Sequence, residues 1–498
     1  AGLCYAVAHN YLNRVVGKRK IGRNVMFLGG PSLNKGVVAA FENILGRGLI
    51  VPKHREVLGA FGAAISVLEK MTAGQGSKTI FRGLESSIND RMSYSEKICT
   101  ADPACHNQCK LKIYDFDGRK SVWGGECGRY ELTRGKGHKK ENFFDLRENI
   151  WQTYLSGLYE VLDPERPLME VDGRPTVGMQ RALYTFQNGV LWANFFDCLG
   201  FRLVLTQPTN NRISGKGIES MTAETCYPIK VSHGHINELA GKTRYLFLPV
   251  IIDIPTGDES ERGFYCPLVQ ANSYMARAAM KLDRDSLLSP ILHLKNDFPT
   301  LAIEVAEGLS GRIGKSRKEI TEALYYALER QDRFILEMYA KGSEILDSHE
   351  ADSPLVVVTG RPYNLYDERL NLRIGRNLSK IGVTAVPMDF IDARSIDLSD
   401  FPNMYWGLGV QILKTAKFIE DRPNFFGLHI TNFSCGADSF IEHFYKYIMN
   451  DKPYLILEMD EHSAVAGVMT RLEAFSNVID NCMKKQESRS FKELRLSN

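Results

Sequence analysis

Residues 175–205 and 354–387 of this chain follow one order: an apolar run, a stretch with apolar residues at helical spacing, a glycine, and a second apolar run. That repeated order constrains the fold more than any other feature. Runs such as Val356-Val357-Val358 lack the alternation of a half-solvated strand and suit a strand buried on both faces. Two such strands joined through a helix lie parallel, because a parallel pair needs a long crossover. In the first stretch the spacing predicts a helix over 182–199 capped by Gly200, then a strand over 201–205. In the second it predicts a helix over 367–381 capped by Gly382, then a strand over 383–387. Further apolar runs at 245–254 and 427–432 read as later strands. The expected fold class is α/β, with two flavodoxin-like or Rossmann-like doubly wound lobes over 151–300 and 351–498. A helical linker, 301–350, separates them, with one long helix over 316–346. Gly314-Lys315-Ser316 at its start lacks the spacing and the preceding strand of a phosphate loop.

Facing lobes leave a crevice at their strand ends, where open α/β sheets bind ligands. Three cysteines fall there: Cys226 in Glu224-Thr225-Cys226-Tyr227-Pro228, Cys266 in Phe264-Tyr265-Cys266-Pro267, and Cys435 in Ser434-Cys435-Gly436-Ala437-Asp438. Two come from the first lobe and one from the second, so they are expected to meet at the cleft. Three thiolates on a cubane iron–sulfur cluster leave one iron open to a substrate oxygen. The competing reading is three small buried hydrophobes, the common fate of a reduced cysteine. Glu224 and Asp438 are candidates for acid/base work beside the cysteines, or for capping the helices that follow. His233 is a candidate proton carrier, against a plain surface or capping role. Arg361 and Tyr363 also stand where they can face the cleft, and Cys198 is expected in the core.

Upstream, Cys99, Cys105, Cys109 and Cys127 form C-x5-C-x3-C-x17-C over a segment, 73–150, that reads as a small Cys-rich domain. Four thiolates near glycine turns suit either zinc or an iron–sulfur cluster, and the spacing does not separate the two. Residues 1–72 read as a helix over 3–16, a strand over 24–28, and a helix over 37–45 entered through Gly29-Gly30-Pro31-Ser32-Leu33-Asn34. Glycines at such a turn let a ligand approach the backbone. Gly29, Gly30 and Asn34 are therefore nucleotide-site candidates, against tight packing alone.

Composition removes several function classes. Lys plus Arg, 62, against Asp plus Glu, 59, gives +3, and no basic stripe asks for nucleic acid or an anionic membrane. The longest apolar run, 245–255, is about half a membrane span. The start, Ala1-Gly2-Leu3-Cys4, has no basic region ahead of an apolar core, and its lack of Met predicts a chain that begins partway into a longer protein. Ten scattered cysteines suit a reducing compartment, and the expected location is cytoplasmic.

The words around the three cleft cysteines resemble the iron–sulfur components of the 2-hydroxyacyl-CoA dehydratase and benzoyl-CoA reductase family. The closest likeness is to large proteins in which activase domains are fused to a dehydratase-like region, and it extends over residues 1–480 or so. Phe27-Leu28-Gly29-Gly30-Pro31-Ser32-Leu33-Asn34 and Gly59-Ala60-Phe61-Gly62-Ala63-Ala64 resemble the closing segment of the activase ATPases, of the actin/Hsp70 fold. The resemblance implies a [4Fe–4S] cluster on Cys226, Cys266 and Cys435, fed by an ATP-dependent activase domain or subunit and passing single electrons at low potential to an acyl-CoA-like substrate. It also implies anaerobic chemistry, and ATP binding only with the upstream activase portion. A homodimer, a double-cubane reductase of a small molecule, and a non-catalytic zinc-bearing scaffold stay open at this point, as does dehydratase against reductase chemistry.

Overall fold

The structure is a computed structural model, and it describes residues 2–496 other than 17–18, 75–80, 82, 90–92, 102–108, 117–118, 126–129, 131–139 and 351. The chain divides into two units, Ala1–Arg91 and Met92–Asn498. In the first, the helices Gly2–Asn10 and Lys35–Leu45 pack through Ala8, Val37, Ala40 and Phe41. The expected strand over 24–28 is a single bridge, Met26 to Ile50, and the helix expected over 3–16 changes to a π-helical turn at Tyr11–Val16. The helix Leu58–Thr72 buries none of its residues.

The second unit is a mixed α/β body whose two largest sheets among the described residues are parallel in the main, beside a two-stranded parallel pair and a three-stranded antiparallel sheet. In the larger, the order across the sheet is Leu287–Leu288, Tyr245–Phe247, Arg174–Met179, Arg202–Leu205 and Tyr159–Val161, every neighbouring pair parallel. The run expected as one strand over 245–254 is two, Tyr245–Phe247 and Val250–Asp253. Pro249 between them has no N–H to give to the ladder. The bonds resume across it, Leu248 N–H to the Leu288 carbonyl and Val250 N–H to the Pro290 carbonyl, each 2.8 Å.

The smaller sheet has the order Ala385–Pro387, Leu355–Gly360, Phe425–Asn432 and Tyr454–Met459, again all parallel. Leu355–Gly360 and Phe425–Asn432 are buried at every residue, which is why neither carries a charged residue or the alternation of a half-solvated strand. The chain leaves Leu355–Gly360 toward one side and returns on the other, so the order reverses between these two strands. Ligands gather at the carboxyl ends of strands at such a reversal. The helix expected over 367–381 is broken: a turn of helix, Pro362–Tyr366, precedes left-handed Leu372 and Arg373, and Ile374–Lys380 follows. Asp367 ends the first piece because its Oδ1 accepts from the Arg369 N–H at 2.9 Å, a side-chain turn that competes with continued helix.

Arg317–Ser348 is the long helix. Its Ser316 and Glu319 form a reciprocal capping box, so the serine of the loop-like Gly314-Lys315-Ser316 begins a helix. It packs on Thr185–Cys198, where the Gln331 amide takes the Leu191 N–H at 3.0 Å and donates to the Gln187 carbonyl at 2.9 Å. Cys198, expected in the core, ends that helix exposed.

Asn211–Ser220 and Tyr227–Leu239 approach through Gly217 and Gly234. A Cβ on Gly234 would lie 2.0 Å from the Ile213 carbonyl oxygen, and one on Gly217 2.0 Å from that of Lys230. Backbone cannot give way as a flexible side chain can. Gly234→Ala is therefore expected to cost about 1–3 kcal/mol, or more if the helices separate, measured as a lowered urea midpoint. An unchanged midpoint would show that the two helices are free to move apart.

Candidate functional site

Cys226, Cys266 and Cys435 occupy the same local position, each the N-cap of a helix: Tyr227–Leu239, Pro267–Gln270 and Gly436–Met449. Proline or glycine follows within two residues in every case, and proline early in the first turn sacrifices no helical bond. All three cysteines are buried, at 7 %, 9 % and 8 % exposure. Cys435 is reached through Ser434, whose φ of 64° turns the chain sharply off the strand Phe425–Asn432.

The three thiols are within electrostatic reach of one another around Tyr363 and Arg361: Tyr363 senses all three, and Cys435 senses Cys226. Burial pushes the Cys226 thiol up to about 11, with Cys266 adding to the rise. Burial, then the Asp438 carboxylate, raises Cys435 as well. Without a cation to draw the protons off, Cys226 and Cys435 are therefore neutral at physiological pH.

Arg361 caps the short helix Pro362–Tyr366 at the end of Leu355–Gly360, and it is buried. Its Nε and Nη2 donate to Asp438 Oδ1 at 3.0 and 2.8 Å, while Thr431 Oγ1 donates to Oδ2 at 2.7 Å. Burial works to raise the Asp438 pKa, but Arg361, His429 and the Thr431 hydroxyl together outweigh it and hold the carboxyl below its usual range. Both carboxylate oxygens are thus committed, and Asp438, a candidate acid or base, instead positions Arg361. The remaining nitrogen, Arg361 Nη1, is buried and has no hydrogen-bond partner among the described residues. An arginine donor left over in a buried site of thiols is an anion-seeking group.

A pocket of about 120 Å³ opens beside Cys226 and Cys435, walled by Glu224, Thr225, Lys230, Ser434 and Glu461. Glu224 is 80 % exposed and accepts from buried Lys230, whose Nζ also reaches Glu461 Oε1 at 2.7 Å. Lys230 thereby ties Tyr227–Leu239 to the chain beyond Tyr454–Met459. It went unnoticed in the sequence, although a lysine amid Pro228-Ile229 and Val231 is a signal of a buried, paired cation.

His233 does not reach this pocket. It is buried, neither ring nitrogen has a hydrogen-bond partner among the described residues, and burial lowers its pKa to about 4. Burial thus favours the neutral form of the ring, which sits apart from the walls of this pocket. His235 is likewise neutral, shifted to about 3 by burial, and its Nε2 meets Thr209 Oγ1 at 2.9 Å.

In the upstream group, Cys99 faces Cys109 across an antiparallel hairpin, Tyr94–Ile98 against Lys110–Phe116, with the Cys99 N–H donating to the Cys109 carbonyl at 2.9 Å. Cys105 and Cys127 lie outside the described residues. In the first unit, Gly29 takes a φ of 84°, and Asn34 Oδ1 caps Lys35–Leu45 by accepting from the Gly36 N–H at 2.9 Å. Asn34 thus has a local structural task, and Gly30 begins the 3-10 turn Gly30–Leu33. Among the described residues, no three His, Cys, Asp or Glu side chains are grouped to hold a single metal ion. A cubane seats each thiolate on a different iron, which is another geometry. No described helix is long and apolar enough to cross a membrane.

Residues 176–391, just under half the chain, match a family model described as a CoA enzyme activase uncharacterised domain. An uncharacterised protein of Methanocaldococcus jannaschii is 37 % identical over 65 residues, 13 % of this chain and 16 % of that protein, so the likeness spans less than a fifth of the relative. Among solved structures, the periplasmic zinc binding protein TroA from Treponema pallidum has 10 % identity, a TM-score of 0.20, and coverage of 63 % of this chain and 99 % of that one. A manganese-bound periplasmic metal binding protein from candidatus Liberibacter asiaticus has 9 % identity and a TM-score of 0.20, over 62 % of this chain and 99 % of that one. At these scores neither structure carries an argument. The segment 176–391, which contains Cys226, Cys266 and Arg361, is thus similar to a domain described as a CoA enzyme activase uncharacterised domain.

Proposed function

We propose that this protein is an iron–sulfur redox component of the 2-hydroxyacyl-CoA dehydratase type, holding a [4Fe–4S] cluster on Cys226, Cys266 and Cys435 between two doubly wound lobes. The observation that carries the reading is the convergence of three buried N-cap cysteines on a buried arginine with a donor to spare. The donor set fits: thiols bind a metal by giving up protons, and the resulting negative charge meets Arg361 and the N-termini of Tyr227–Leu239 and Gly436–Met449. The cofactor would supply single electrons at low potential and an iron open to a substrate oxygen. The chain's own part is to keep water out with Tyr265 and Tyr363, hold Arg361 through Asp438, and line the entrance with the Lys230 ion pairs. The similarity of 176–391 to a CoA enzyme activase uncharacterised domain supports an acyl-CoA-like substrate and an ATP-dependent activase as electron donor. The Cys99, Cys105, Cys109 and Cys127 group is proposed as a second metal site, for a cluster or zinc.

Protein purified without oxygen should be brown and hold about four irons and four sulfides per chain, or about eight of each if the upstream group also binds a cluster. Colourless protein carrying zinc alone would replace this reading with a scaffold.

A further inference from the structure

A second cavity, about 310 Å³, lies at the far end of the short helix that Arg361 begins, and the thiol centre does not use it. It is enclosed by the start of Phe143–Leu155, the loop 208–210 after Arg202–Leu205, and the broken helical region 365–376.

Four arginines line it, Arg181, Arg369, Arg373 and Arg376. Its carboxylates are arranged differently in depth. Arg181 pairs with Glu148 at 3.2 Å, and Arg373 with Glu368 at 3.1 Å. The guanidiniums are the inner partners, with side chains 12 % and 17 % exposed against 34 % and 61 % for the glutamates. Solvent screens the outer carboxylates more than the inner cations. The one buried carboxyl, Asp367, has its pKa raised by burial to about 6, so it is mostly ionised at neutral pH, and it accepts from Thr209. Arg376 is half-buried, and no hydrogen bond, ion pair or ring contact engages its guanidinium among the described residues. Among the described residues the cavity thus holds one guanidinium, that of Arg376, with no carboxylate to meet it, beside arginines whose paired glutamates lie farther out.

We infer that this cavity binds a small oxyanion-bearing ligand, a carboxylate or a phosphate, whose anionic group pairs with Arg376 and is flanked by the other arginines. Planar guanidinium groups suit both oxyanions, and the volume admits a small metabolite rather than a single ion. The break at Leu372 and Arg373 gives the arginines their directions: two consecutive residues at φ 52° and 58° swing the chain between Arg369 and Arg376, which a continuous helix would not do. The inference does not depend on a cluster at the cysteines.

Calorimetric titration of the whole protein with inorganic phosphate, and separately with succinate, tests it. Saturable binding of at least one is expected, and the pair shows which oxyanion is preferred. Arg376→Met should weaken that binding at least tenfold, with Arg376→Lys intermediate and the thermal midpoint little changed. If Arg376→Met does not fold, Arg373→Met gives the same reading. Saturable binding by neither probe, or binding undiminished in the folded Met variant, overturns the inference.

Discussion

Cys435→Ala is expected to remove about four irons and four sulfides per chain from anaerobically purified protein, together with the paramagnetic signal of the reduced centre. The substitution takes away one of three thiols, and the only one delivered by the smaller sheet, so the remaining two cannot bridge the cleft. It should do so without unfolding the chain. Cys435 caps Gly436–Met449 with no side-chain cap bond, and alanine leaves a space no larger than one sulfur atom, at about 1 kcal/mol. Any metal on Cys99, Cys105, Cys109 and Cys127 should remain, which makes the upstream group an internal control. Unchanged iron and an unchanged spectrum would remove Cys435 from the ligand set and the proposed centre with it.

Asp438→Ala is expected to have the larger effect on stability, about 3–5 kcal/mol, because it strands a buried guanidinium. Arg361 and Asp438 are each 1 % exposed, and no second carboxylate among the described residues is bonded to Arg361. Asp438→Asn should recover part of the loss, since the amide oxygen can still accept from Arg361 although the charge is gone. Urea unfolding of the metal-free protein separates this loss from any contribution by a bound cofactor. A cost under about 1 kcal/mol for the alanine variant would mean that water reaches Arg361, and would weaken the case for a sealed, anion-seeking site.

The parts of the fold that were legible are those where local pattern and burial agree. Val356-Val357-Val358 and the run 427–432 read as strands, and both are buried on both faces, while the capping residues of Arg317–Ser348 lie beside it in sequence. Errors came where one residue overrides a pattern. Pro249 splits a strand that hydropathy alone would keep whole, and the Asp367 side chain ends a helix whose apolar spacing continues past it. The site was legible as three cysteines followed by Pro or Gly, and its electrostatics were not. Asp438 resembles a helix-capping acid, and only Arg361, 77 residues away in sequence, turns it into a positioning residue. His233 carries the letter of a proton carrier, and its burial favours the neutral ring.

By itself the sequence determined the alternation of strands and helices, the parallel sense of the sheets and the helices that follow Cys226 and Cys435. All three follow from interactions within a few residues or from crossover length. Which charges meet, which histidines are sealed and where four arginines enclose a cavity were decided only by the tertiary structure. Those outcomes depend on dielectric and distance between segments far apart in sequence, and no local pattern of side chains encodes either.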